Sequence, residues 1–189
     1  MSEPGSTLLF RELPSHLKFS PEEKRSLRAF ARTASERVVN RRKFTCVISD
    51  DRELRSLNAN FLGHDYVTDV LSFPMGETGD DLGDIIISAE RAEVQAAEFG
   101  HDRVDEIRIL MLHGLLHLAG LDHQTDRGEM ARVESKWRDE FGLPTSLISR
   151  TRGNGQRTGV WCRGARVSEK RTGVGGPRAR VSEKRKGLR

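Results

Sequence analysis

The chain has 189 residues, 35% of them hydrophobic, with 32 Lys+Arg against 28 Asp+Glu and two cysteines. Its charge is uneven: residues 150–189 hold 13 basic and 2 acidic side chains (net +11), while residues 1–149 hold 19 and 26 (net −7), so the basic character belongs to the end of the chain. No apolar run approaches the roughly 18 residues that a membrane span needs, the longest being of the size of Ile85-Ile86-Ile87, and Cys46 and Cys162 form no CxxC pair, which excludes a disulfide scaffold or zinc knuckle.

In chain order, Thr7 to Phe10 reads as a short strand. Ser20-Pro21-Glu22-Glu23 then opens a helix, with Ser20 as N-cap, Pro21 in the first turn and Glu23 closing a capping box. Leu27, Phe30, Ala34 and Val38 share one face of it, and Arg25, Arg28 and Arg32 the other. Phe44 to Ser49 is a second strand, and a helix capped near Asp50 runs to about Phe61. Asp69 to Phe73 is a third strand, stopped by Pro74. Leu82 to Ile87 is a fourth, and its unbroken apolar run predicts burial on both faces. Helices follow from about Ser88 to Phe99, Asp102 to Leu118 and Asp126 to Phe141, the last ending at Gly142 and Pro144, with Trp137 and Phe141 in the core. The order implies a single α/β (α+β layered) domain, a small mixed four-stranded sheet packed with about five helices.

After this domain, RTGVWCRGARVSEK at 157–170 is followed by RTGVGGPRARVSEK at 171–184, a 14-residue tandem repeat. The unit is too short for a solenoid and too poor in large apolar residues to fold. The chain therefore divides into a folded body, 1–149, and a basic, disordered tail, 150–189. The plainer reading of the tail is a tandem duplication; an RNA-binding arm is the alternative. The N-terminus, MSEPGSTLLF, carries an acidic residue and an early proline rather than a signal sequence, so a reducing cytoplasm is expected.

The informative segment is His113-Gly-Leu-Leu-His117-Leu-Ala-Gly120-Leu-Asp-His123. His113 and His117 are four apart on a helix, so their imidazoles share a face. Gly120 can end that helix through positive φ and turn the chain so that His123 joins them. Three neutral imidazoles with a fourth position open make a catalytic zinc site. The same spacing occurs in the protease motif H-E-x-x-H-x-x-G-x-x-H, whose glutamate is the general base. Gly114 stands at that position here, which argues for a hydrolase of another substrate. His16, His64 and His101 have no partner at ligand spacing and are expected on the surface or in loops. No GxGxxG or Walker loop is present, so no nucleotide cofactor is expected.

HGLLHLAGLDH, together with TDVLSFP at 68–74 and LGDIIIS at 82–88, resembles the YbeY family of metallo-endoribonucleases over about residues 7 to 145. The resemblance implies one zinc ion on His113, His117 and His123. It further implies single-strand-specific cleavage of RNA, maturation of the 3′ end of small-subunit ribosomal RNA, and ribosome quality control. It makes a ribosomal RNA precursor and the ribosome or its small subunit the expected partners, with no membrane. Where several members have a tyrosine-arginine pair, this chain has Phe61-Leu62, and Leu62 cannot bind phosphate.

No acid in the histidine motif is an obvious base. Asp122, beside His123, is the candidate carboxylate to orient an imidazole, with Asp126 and Asp69 as alternatives. For RNA contact, residues 21–43 carry eight basic side chains against three glutamates. Arg25, Arg28 and Arg32 are the phosphate-binding candidates. Two rivals remain: a metal-dependent hydrolase of another substrate, and a non-catalytic ribosome-assembly factor whose zinc holds the fold.

Overall fold

The computed structural model describes residues 6–76, 79–123 and 125–144, and the backbone of 160–161. Its elements are β1 (Thr7–Phe10), a 3-10 turn (Ser15–Leu17), α1 (Pro21–Val38), β2 (Lys43–Ser49), α2 (Asp51–Leu62), β3 (Val70–Pro74), β4 (Asp81–Ser88), α3 (Ala89–Phe99), α4 (Arg103–Leu118), α5 (Glu129–Phe141) and β5 (Val160–Trp161). Helix starts follow local chemistry. Ser20 Oγ accepts from the Glu23 amide at 3.1 Å while Glu23 accepts from the Ser20 amide at 2.6 Å, the reciprocal capping box. Asp50 caps α2 through the Glu53 amide, and Ser88 caps α3 through that of Arg91.

The strands lie in the order β1-β2-β4-β3-β5. β1, β2 and β4 run parallel, and β3 returns antiparallel to β4, so the sheet is mixed. The four expected strands are all present, and the two-residue β5 adds a parallel rung to the outer edge of β3 at Leu71 and Ser72. Val160 and Trp161 belong to the first copy of the repeat; the rest of the tail, expected to be disordered, lies outside the described residues.

The sheet separates two cores. Cys46, Ile48, Val70, Ile85 and Ile87 face α1, α3, α4 and α5. Val47, Leu71, Phe73 and Ile86 face α2, which contributes Leu54, Leu57 and Leu62. This alternation explains why β2 and β4 read as continuous apolar runs: each strand is covered on both sides. α4 is the central helix, buried at nearly every position from Glu106 to Leu118. Its close approach to the sheet depends on Gly114. A Cβ there would sit 2.8 Å from Ile85 Cγ2 and 3.0 Å from Ser72 Oγ.

One expectation needs correction. The last helix begins at Glu129 rather than near Asp126. Asp126 lies outside it, accepting from the amides of Gly128 and Met130, both at 2.7 Å, so that it caps the helix instead of belonging to it. His101, by contrast, lies in a loop as expected, and the structure adds a hydrogen-bond partner. It sits between α3 and α4, and its Nε2 lies 2.5 Å from Oε2 of the fully buried Glu106.

Candidate metal centre

α4 presents His113 and His117 on consecutive turns and then stops at Ala119. The stop is a Schellman turn: the Gly120 amide bonds to the His117 carbonyl at 3.0 Å and the Leu121 amide to that of Leu116 at 3.1 Å. It requires a left-handed residue, supplied by Gly120 at φ +93°. The reversed chain delivers His123 against the helix it has just left.

The three imidazoles converge. Ring centroids are 4.8 Å apart for His113–His117, 5.1 Å for His117–His123 and 5.2 Å for His113–His123. One ring nitrogen from each lies within 4.8 Å of the others, an arrangement that could hold a metal ion. His113 and His117 are buried and His123 is half-buried. Nε2 of all three is shielded from solvent and has no hydrogen-bond partner. Buried nitrogens without partners are costly unless something accepts their lone pairs. A three-imidazole set is a fitting donor set for zinc, and equally for other late first-row metals.

The electrostatics favour neutral rings, which metal binding requires. Burial pushes the His117 imidazolium pKa down to about 2, reinforced by repulsion from His113 and His123. His123 is also lowered, by burial and by His113, against the opposing pull of Asp122, Glu134 and Asp126.

A buried carboxylate backs the cluster, and sequence reasoning missed it. Glu134 Oε2 lies 2.9 Å from His113 Nδ1, and both side chains are fully buried. The signal was available: Met130, Glu134 and Arg138 recur every fourth residue on the buried face of α5, flanked by Trp137 and Phe141, and a glutamate is out of place there unless it has buried partners. Asp122, the sequence candidate, accepts a hydrogen bond from Thr125 Oγ1 at 3.1 Å and acts on His123 through its charge. Asp69 is committed elsewhere, receiving Gln95 Nε2 at 2.9 Å and the Val70 amide at 2.8 Å.

Gly114 faces the sheet rather than the histidine cluster, so a glutamate there would be driven into Ile85 and Ser72. The protease arrangement is incompatible with this packing. Arg25, Arg28 and Arg32 are exposed along the outer face of α1. Arg25 pairs with Glu22 at 2.8 Å, and Arg28 lies over the Phe10 ring at 5.4 Å. Leu62 packs into the core beneath α2, while Phe61 is 42% exposed and meets Phe73 edge-on at 5.2 Å. His16 and His64 are exposed, as expected, with His64 stacked on Tyr66.

Fold and site together define a small layered α/β protein with a buried three-histidine cluster able to hold a metal. A family model described as endoribonuclease YbeY matches residues 16–142. The chain belongs to the YbeY family. It is 50% identical over 151 residues to the endoribonuclease YbeY of Solibacter usitatus, covering 79% of this chain and 98% of that one. The endoribonuclease YbeY of Koribacter versatilis is 45% identical over 134 residues, 71% of this chain and 88% of the relative. The solution structure of a Thermotoga maritima protein shares the fold with a TM-score of 0.51 at 24% identity, over 80% of this chain and 95% of that one.

Proposed function

We propose that this chain is a single-strand-specific, zinc-dependent endoribonuclease that matures the 3′ end of small-subunit ribosomal RNA and serves ribosome quality control. Residues 1–149 are the catalytic domain, and 150–189 a basic tail that touches it through the β5 pairing at Val160 and Trp161. His113, His117 and His123 hold one zinc ion. The observation that carries this reading is the convergence of three buried Nε2 atoms without hydrogen-bond partners, in a chain whose relatives bear the endoribonuclease name.

Zinc held there would supply a Lewis acid for a phosphoryl oxygen and a bound water with its pKa lowered toward about 7. The protein's own part is to hold three imidazoles oriented and largely shielded from solvent, with His117 and His123 kept neutral by burial. In RNA the 2′-hydroxyl is an internal nucleophile, so positioning of the phosphate counts for more than a protein nucleophile. Exposed Arg25, Arg28 and Arg32 on α1 supply cations for strand binding. Among the described residues no helix is long and apolar enough to cross a membrane. A cytoplasmic enzyme meeting precursor RNA on the ribosome or its small subunit fits that observation.

The test is cleavage of a labelled single-stranded RNA by the full chain beside an identically purified His117→Ala version. Cutting by the first alone, with duplex RNA spared, is the expected result. Equal cutting by both would trace the activity to a contaminant. No cutting by a folded, zinc-loaded wild type would shift the reading to an assembly factor.

A further inference from the structure

We infer that Glu134 is a positioning residue for the metal centre: through its hydrogen bond to His113 it fixes which nitrogen of that ring is offered to the metal. The inference rests on the metal reading above and adds a residue from a different helix to it.

The argument starts from cost. A carboxylate with no solvent exposure has given up its hydration, and α5 could bury an apolar residue at this position more cheaply. Its neighbours on the buried face of the helix are Met130, which is apolar, and Arg138 one turn on, whose side chain is also buried. Burial of the carboxyl therefore calls for polar partners, and on the side of the cluster that partner is His113 Nδ1 at 2.9 Å.

That contact has a chemical consequence. A carboxylate oxygen accepts, so Nδ1–H donates to it, and the single proton of a neutral imidazole is then on Nδ1. Nε2 is left with its lone pair, and it is Nε2 that is buried without a partner in the cluster. Free neutral imidazole offers either nitrogen; here the carboxylate selects one and holds the ring plane as well. The contact also ties α5 to α4 across 21 residues of sequence, so metal affinity depends on the docking of a helix that carries no ligand itself.

Three measurements on the full chain test this. The first is the long-range 1H–15N spectrum of the histidines in metal-free wild type. His113 should show the Nδ1–H pattern, and that pattern should be lost in Glu134→Leu. The second is zinc affinity by chelator competition, which should fall by about 10- to 100-fold in Glu134→Leu. Glu134→Gln, whose amide oxygen can still accept from Nδ1–H, should fall less. The third is thermal unfolding of the metal-free proteins; if Glu134→Leu does not fold, Glu134→Gln decides.

An Nε2–H pattern for wild-type His113 would overturn the inference. So would Gln and Leu variants that unfold earlier yet bind zinc within twofold of wild type, because that is the signature of a merely structural contact. The two levels of the reading separate cleanly. If wild type itself binds no zinc, the metal reading fails. If wild type binds, His117→Ala does not, and both Glu134 variants match wild type, only the Glu134 inference fails.

Discussion

The neutrality of His117 has a measurable consequence for stability in the metal-free protein. Its conjugate acid is pushed from 6.5 down to about 2 by burial and by the neighbouring imidazoles. A base with a lowered folded-state pKa stays neutral in the native state while the unfolded chain takes up a proton. Its contribution is therefore fully present above pH 6.5 and is lost as the pH falls below that value. At pH 5, roughly 1.5 pH units below the unfolded value, the loss is about 2 kcal/mol at 1.36 kcal/mol per unit. In a domain of this size that corresponds to about 4–8 °C in Tm. His123 acts with the same sign. The assay is urea unfolding with chelator present, at pH 7 and pH 5, for wild type and His117→Leu. Other groups titrate over this range in both proteins, so the quantity of interest is the difference between them. Wild type should lose about 2 kcal/mol more than the variant on going to pH 5. A difference below about 0.5 kcal/mol would refute the claim that the site holds His117 neutral by burial.

Three further outcomes are expected. Gly83 has φ +122°, and a Cβ on it would lie 2.1 Å from the Phe73 carbonyl oxygen. Gly83→Ala should therefore cost about 3 kcal/mol or more by chemical denaturation, as the β3–β4 ladder yields. Gly114→Glu should melt earlier than wild type and leave casein uncut, because the new carboxylate meets Ile85 and Ser72 instead of the histidine cluster; protease activity would contradict the packing. Replacing Arg25, Arg28 and Arg32 together with Gln should reduce the slope of log K against log salt for single-stranded RNA by about 2, at about 0.7 per phosphate contact. An unchanged slope would make the stripe an ordinary solvated face.

Most of the element list was legible in the sequence because helix starts are decided within four residues. Ser20, Asp50 and Ser88 cap their helices through their own side chains, and no distant partner is needed. Where a distant or less regular contact decides, the sequence reading faltered. Asp126 reads as the start of a helix, yet its carboxylate bonds to the amides of Gly128 and Met130 and the helix begins beyond it. Leu62 reads only as a residue that cannot bind phosphate, and its packing against the second core is visible only in the structure. His101 is the loop residue it reads as, but only the placement of α4 shows that Glu106 receives it.

The candidate site divides along the same line. Four residues of helix and one left-handed glycine suffice to gather His113, His117 and His123, and a turn of helix has the same geometry wherever it occurs. The sequence alone therefore determined the three-histidine cluster. It could not determine that Glu134 stands behind His113, since α5 reaches that position only by docking on α4. Nor could it determine that residue 114 must be glycine for packing, since that follows from the sheet lying against the helix at Ile85 and Ser72. Local backbone geometry repeats from protein to protein, whereas contacts between distant segments exist only once the whole core has formed.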